Sequence, residues 1–114
     1  MQYLLLIYSN EAAEEAEVDR AKLMADYGAF TQGIVQSGHF KGADRLRPVA
    51  DATTVRVRDG KTLTTDGPFA ETREQLGGYY LIEAKDLDEA VGIAAKVPSA
   101  RHGSIEVRPV WAMS

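Results

Sequence analysis

The chain has 114 residues, which suits one domain over residues 1–114, because chains divide into several domains only well above this length. Cysteine is absent, and this excludes a disulfide framework, a thiolate nucleophile and a cysteine-ligated metal site. A formal net charge of −4 disfavours a general binder of nucleic acid, which needs excess positive charge. No apolar run approaches the ~20 residues of a membrane span, and the N-terminus has no signal-peptide pattern. We therefore expect a cytoplasmic protein with no membrane contact.

The first half of the chain predicts a strand, a helix and a second strand. Gln2–Tyr8 is a nearly unbroken apolar run, typical of a strand covered on both faces. The acidic stretch 11–19 suits either the first turns of a helix or a solvated loop. Ala21–Gln36 predicts a helix with an apolar stripe of Leu23, Met24, Tyr27, Phe30 and Ile34. Phe40–Val49 is a weaker pattern, interpreted as an edge strand that Pro48 ends.

A hairpin is predicted in the middle of the chain. Thr53–Arg58 alternates between apolar and polar side chains, which is typical of a strand. Asp59-Gly60 is a two-residue turn of the kind that joins paired strands, and Lys61–Thr65 returns from it.

The last third predicts a strand, a helix and a final strand. Gly77–Ala84 carries apolar residues on both faces. Asp86 begins a helix, and Glu89 three residues later completes a capping box. The residues of this helix expected to be buried are Leu87, Ala90, Val91 and Ala94. Ser104–Trp111 alternates again and closes the chain as a strand.

This order of elements predicts an α+β protein with a ferredoxin-like β-α-β-β-α-β sandwich and an extra β-hairpin. Right-handed connections place both helices on one face of the sheet and leave the other face bare. The expected central strands, Gln2–Tyr8 and Gly77–Ala84, are apolar on that bare face too. Either the chain's own loops or a second copy must cover it. We favour a homodimer, in which two sheets pack face to face as a dimeric α+β barrel.

The bend at Asp66-Gly67-Pro68 is the most informative segment for function. Proline restricts its own backbone and that of Gly67, so the bend has a defined shape. Two roles are open for Asp66: a structural turn residue that accepts backbone N–H groups, or a candidate catalytic base in a cleft. We expect Phe69 to fill the core.

A set of candidate ligand-binding residues is predicted on the bare sheet face. Four apolar residues are expected to face the helices: Val55, Val57, Ile105 and Val107. Alternation then places Arg56, Glu106 and Arg108 on the bare face, where Tyr80 and Tyr8 can join them. Because buried charges need partners, these residues form either an ion network at a dimer interface or an anion-binding pocket. In the pocket, an arginine fork would hold a ligand carboxylate.

The segment from Asp66 to Tyr80 also carries a family resemblance. Asp66-Gly67-Pro68-Phe69, followed by Glu71, Glu74 and Gly77-Gly78-Tyr79-Tyr80, resembles the signature of the DGPF-type proteins of the YCII-related superfamily. The opening strand, Asp86–Ala90 and Gly103–Val110 resemble the corresponding parts of that family. The resemblance covers essentially the whole chain and implies the same ferredoxin-like fold and dimeric α+β barrel. It implies no settled activity, although it suggests a regulatory context beside extracytoplasmic-function sigma factors.

Enzymes of the wider superfamily are thought to use a histidine–aspartate pair. Neither His39 nor His102 lies in a stretch that matches this pair, which disfavours an acid–base lyase mechanism. Two scattered imidazoles show no metal-ligand spacing, so we expect no metal and no cofactor.

Three functions remain open. The first is an enzyme acting on an aromatic or carboxylate-bearing metabolite in the barrel cleft, with Asp66 as base and Arg56 or Arg108 as anion anchor. The second is a non-catalytic accessory or regulatory module connected with sigma-factor signalling, and the third is a structural dimer.

Overall fold

Four antiparallel strands and three helices form the body of the protein, and two further strands form a separate hairpin. The computed structural model describes residues 1–112. In chain order the elements are β1 (Gln2–Ser9), α1 (Glu11–Glu17), α2 (Arg20–Gln36), β2 (Phe40–Arg45), β3 (Thr53–Arg58), β4 (Lys61–Asp66), β5 (Gln75–Glu83), α3 (Leu87–Ala94) and β6 (Ser104–Pro109). Short 3-10 turns lie at Val49–Asp51 and Pro98–Arg101. Within the described residues, no helix has the length and apolarity to cross a bilayer.

The order of strands in the main sheet is β2-β5-β1-β6. The central strands β1 and β5 are those predicted from their apolar faces, and β2 lies at the edge as expected. Leu5 of β1 stands opposite Tyr80 on one side and Val107 on the other. This arrangement confirms the predicted ferredoxin-like α+β fold.

Side-chain caps begin all three helices. Asn10 accepts a hydrogen bond from the Ala13 N–H, and Asp19 accepts one from the Lys22 N–H. The acidic stretch is therefore helical, but it forms α1 by itself instead of extending α2. Asp86 caps α3 as predicted. Glu89 departs from a capping box, because its carboxylate accepts from the N–H of Lys85, one residue before the cap.

The core lies between the helices and one face of the sheet. Its buried members from the sheet include Tyr3, Leu5, Ile7, Tyr80 and Ile82, and those from α2 and α3 include Ile34, Ala90, Ile93 and Ala94. The predicted stripe of α3 was partly wrong, since Leu87 and Val91 are about half exposed. Ala90, Ile93, Ala94 and Val97 share a helical spacing that fits equally well, and the packing uses that second stripe.

The hairpin of β3 and β4 departs from the prediction. Over residues 1–112 these strands pair only with each other, so Val55 and Val57 do not face the helices, and each residue is 59% exposed. Phe69, expected in the core, is 78% exposed. The alternation identified the strands correctly, but it did not identify their neighbours.

The second face of the main sheet carries an apolar centre. Leu4, Leu6 and Leu81 point away from the core, and they remain only partly buried. The bare apolar face predicted from the two central strands is therefore a feature of the folded chain. We call it the open face below.

Candidate functional site

A cavity of about 250 Å³ lies between α2 and the helix-covered face of the sheet. It is located where β1 and β2 end and β5 begins, so it is lined by residues such as Ser9, Arg45 and Gly77. Leu23 and Met24 of α2 form an apolar wall, and Tyr27 and Tyr80 add two aromatic rings. The described chain thus encloses a site suited to a small, mostly apolar ligand.

Gly78 explains why space remains under α2. The residue is buried on the helix-covered face, where a larger side chain would point toward α2. A Cβ atom there would also come within 2.9 Å of the Asp44 carbonyl oxygen. Glycine therefore lets the backbone of β2 approach closely and leaves the cavity open.

Tyr27 is the central polar group of the cavity. Its hydroxyl donates a hydrogen bond of 2.7 Å to Ser99 Oγ, and Ser99 is buried. Burial raises the pKa of Tyr27 above its ordinary value, and the nearby Tyr80 and Glu14 act in the same direction against the Ser99 hydrogen bond. The hydroxyl is therefore protonated at neutral pH. Because its proton is engaged by Ser99, its oxygen can accept a hydrogen bond from a ligand.

Tyr80 lies on the opposite face of the sheet from the one predicted. Its side chain points toward α2, where its hydroxyl is 2.6 Å from Thr31 Oγ1 and its ring meets Phe30 edge-on at 5.1 Å. The ring of Tyr27 is parallel to it, with centroids 6.5 Å apart. Tyr8, the expected companion, lies on the open face, because its place in β1 has the other parity.

Charged side chains surround the mouth of the cavity. Glu14 Oε2 lies 3.2 Å from His102 Nε2. Asp44 also lies at this end of the sheet, but its place in β2 directs its side chain to the opposite face, where it accepts a hydrogen bond from the Tyr79 hydroxyl and raises the pKa of Tyr79. The guanidinium of Arg45 extends toward α2, with Nη1 3.7 Å from Met24 Sδ.

The structure brings together two of the predicted charged residues. Glu106 and Arg108 are adjacent on the open side of β6, where Arg108 Nε donates to Glu106 Oε2 at 3.0 Å and this carboxylate raises the pKa of Arg108. Arg56 belongs to the separate hairpin and donates instead to the Phe69 carbonyl at 3.4 Å. Within one copy, the structure therefore does not bring Arg56 together with Glu106 and Arg108. Whether Glu106 and Arg108 bind a ligand or an interface remains a prediction.

Asp66 ends β4 and is exposed. The bend after it is held by the Gly67 N–H, which donates to the Ala52 carbonyl at 2.7 Å, and by Thr54 Oγ1, which donates to the Gly67 carbonyl at 2.9 Å. Gly67 has a φ of +100°, a conformation that favours glycine. The cavity described above is not lined by Asp66, and its role as a base remains a prediction.

The two histidines have separate environments. His39 Nδ1 is 2.6 Å from Ser37 Oγ, and its Nε2 is 3.2 Å from Glu89 Oε1. His102 contacts Glu14, which lines the cavity, so this turn histidine lies closer to the candidate site than its sequence position indicated.

Sequence reasoning missed the roles of Tyr27, Ser99 and Arg45. Tyr27 was assigned to the core stripe of α2, where its ring does lie. Its hydroxyl was the available signal, because a buried tyrosine requires a hydrogen-bond partner. Ser99 and Arg45 gave no comparable signal, since their proximity depends on how the 3-10 turn and β2 meet α2.

Comparison with known proteins agrees with this architecture. The YCII-related domain family matches residues 1–114, and the chain belongs to this family. This confirms the resemblance noted for the segment from Asp66 to Tyr80. An uncharacterised protein of Rhizobium meliloti (strain 1021) is 40% identical over 114 residues, covering 96% of this chain and 92% of that protein.

A solved structure shares the fold across the whole chain. It is the 5-chloro-2-hydroxyhydroquinone dehydrochlorinase from Burkholderia phenoliruptrix AC1100, in complex with 2,5-dihydroxybenzoquinone. The likeness has a TM-score of 0.58 at 13% identity and covers 100% of this chain and 96% of that one. At this identity the likeness establishes a common fold.

Proposed function

We propose that this YCII-related protein binds a small hydroxylated aromatic metabolite in the cavity beneath α2. The observation that carries the proposal is that Tyr27 lines a largely apolar cavity and donates its hydroxyl proton to Ser99, which lines the same cavity. A ligand hydroxyl can donate to the Tyr27 oxygen while the ligand ring packs against Leu23 and Tyr80. The dehydrochlorinase with the same fold was solved with a dihydroxybenzoquinone, which supports this class of probe.

We also propose that the protein works as a cytoplasmic homodimer. The open face, with Leu4, Leu6 and Leu81, is apolar and partly exposed in a single copy. Packing two such faces together would bury these side chains and form the dimeric α+β barrel. Glu106 and Arg108, which already pair within one copy, would then lie at or near the interface.

Ligand binding would make the protein either an enzyme or a non-catalytic binding module, and the two need different chemistry. An enzyme needs a group that moves a proton, and Tyr27, whose pKa is raised, suits a donor or a neutral hydrogen-bonding group better than a base. A binding module needs only the cavity. The accessory role beside extracytoplasmic-function sigma factors belongs to this second outcome, and turnover of a bound ligand would contradict it.

The proposal is tested by titrating the protein with hydroquinone and following amide chemical shifts by NMR. We expect shifts at residues around Tyr27 and Gly78, and about tenfold weaker binding in Tyr27→Phe, the scale of one hydrogen bond. Tyr3→Phe is the matched control, because Tyr3 is a buried tyrosine of β1 that does not line the cavity and whose hydroxyl contacts Met1 Sδ. Binding that is absent, or equally weakened by both variants, would contradict the proposal.

A further inference from the structure

Arg45 lies where the cavity opens into a wider groove. It stands opposite Gly78 in the sheet, on the helix-covered side, so its side chain extends toward Met24 of α2. The groove measures about 690 Å³ and shares Ser9, Glu14, Arg45 and Gly77 with the smaller cavity. A ligand seated beside Tyr27 that extended toward the groove would pass Arg45.

The carboxylates around Arg45 are engaged elsewhere. Glu14 Oε2 lies 3.2 Å from His102 Nε2, and Asp44 accepts a hydrogen bond from the Tyr79 hydroxyl. The next arginine, Arg47, pairs with Asp51 at 2.9 Å.

Among the described residues, Arg45 is the cation that lines both the cavity and the groove. Glu11 accepts from the Val49 N–H at 3.2 Å, whereas Glu15 and Arg20 line the groove but not the cavity. Over residues 1–112, Arg45 has no carboxylate within 4.0 Å, and its hydrogen-bond partner is the thioether of Met24.

A thioether is a weak acceptor, whereas a guanidinium forms strong paired hydrogen bonds with a carboxylate. We infer that Arg45 is the anion-recognising residue of this site, and that the ligand is a hydroxylated aromatic acid whose carboxylate faces the groove. This inference rests on the proposed function and further specifies that the ligand carries a negative charge. It also moves the predicted anion anchor from Arg56 and Arg108 to Arg45.

The test compares three probes that differ at one substituent: hydroquinone, 2,5-dihydroxybenzoate and 2,5-dihydroxybenzamide. Dissociation constants are measured by NMR or calorimetry for the wild type, Arg45→Met and Arg47→Met. In the wild type we expect the acid to bind at least tenfold more tightly than the amide. Arg45→Met should abolish this preference, so that binding of the acid falls at least tenfold more than binding of hydroquinone. Arg47→Met, which removes a paired cation from the same groove, should preserve the preference.

The outcomes separate this inference from the proposed function. Hydroquinone binding with no preference for the acid, or an equal loss in both variants, would overturn the role of Arg45 and leave the phenol site intact. Failure of all three probes to bind the wild type would overturn both proposals. The comparison of acid with amide uses wild-type protein, so it holds even if Arg45→Met is poorly folded, which thermal unfolding would show.

Discussion

Strands β3 and β6 have similar sequence patterns and opposite surroundings. In β6, Ile105 and Val107 pack against the core, while Glu106 and Arg108 point to the other side. In β3 the same alternation leaves Val55 and Val57 mostly exposed.

The difference lies in the partners of each strand. β6 pairs with central β1 and lies under α3, whereas β3, in the part of the chain that the structure describes, pairs only with β4. An isolated two-stranded hairpin buries little apolar surface and is only marginally stable in water. Alternation therefore identifies a strand with two unlike faces, but the neighbouring elements determine whether its apolar face is buried.

The largest expected effect comes from removing a side chain of the main sheet. Leu5 is fully buried in β1, so Leu5→Ala should lower the free energy of unfolding by about 3–4 kcal/mol, through lost burial and a residual cavity. The same truncation in the hairpin, Val57→Ala, should cost less than about 0.5 kcal/mol, because its side chain is exposed. Both values are obtained from urea unfolding. A cost above about 1.5 kcal/mol for Val57→Ala that grows with protein concentration would instead mean that a second copy covers the hairpin.

Substituting alanine at two glycines should change the free energy of unfolding by very different amounts, because the backbone is closely packed at one of them and not at the other. A Cβ atom at Gly103, just before β6, would overlap the carbonyl oxygen of Tyr8, so Gly103→Ala should cost about 3 kcal/mol. Gly92 in α3 has open space around its Cβ position, and Gly92→Ala should stabilise the protein by up to about 1 kcal/mol, because alanine favours a helix. Thermal unfolding measures both. Equal effects would show that the start of β6 is less closely packed than described.

A substitution on the open face tests whether a second copy of the chain covers this apolar sheet surface. Leu81→Arg places a charge at its centre, and we expect the dimer dissociation constant to rise about a hundredfold, about 2.7 kcal/mol, with the monomer still folded. Val35→Arg, on the exposed side of α2, is the control that should leave dimerisation unchanged. Sedimentation at micromolar concentration checks both. A wild type that sediments as a monomer would refute the dimeric barrel.

The smallest expected effect is a pH dependence at the start of α3. The Lys85 N–H hydrogen bond lowers the pKa of Glu89; burial opposes this, and His39 adds a further lowering. A carboxylate with a lowered pKa stabilises the fold above its unfolded pKa, and this stabilisation is lost as pH falls through the folded value. Between about pH 5 and pH 3, unfolding curves of Glu89→Gln should therefore depend less on pH than those of wild type. Parallel pH profiles would contradict this contribution.

Much of the fold was predictable because it depends on local patterns. The apolar runs of β1 and β5 identified the central strands, and Asp86 identified the start of α3 through a cap that needs only neighbouring backbone. The turn at Asp59-Gly60 likewise identified the hairpin, since both residues have positive φ in the structure. In each case the deciding interaction spans only a few residues.

The buried side of α3 and the orientation of Tyr80 required the tertiary structure. Apolar residues occupy both candidate stripes of α3, so hydrophobic spacing alone fitted Leu87 and Val91 as well as Ile93. Tyr80 belongs to a strand that is apolar on both faces, and such a strand gives no signal of which face the helices cover.

The sequence by itself determined the order of the main strands and helices, the central strands, the cap at Asp86 and the family, because these depend on residues close together in the chain. Only the tertiary structure decided the candidate site. Tyr27, Arg45 and Ser99 come from α2, β2 and the turn after α3, and their proximity depends on the packing of those elements. The hairpin likewise lies outside the main sheet because strand pairing, which alternation does not specify, assigns β3 to β4 alone.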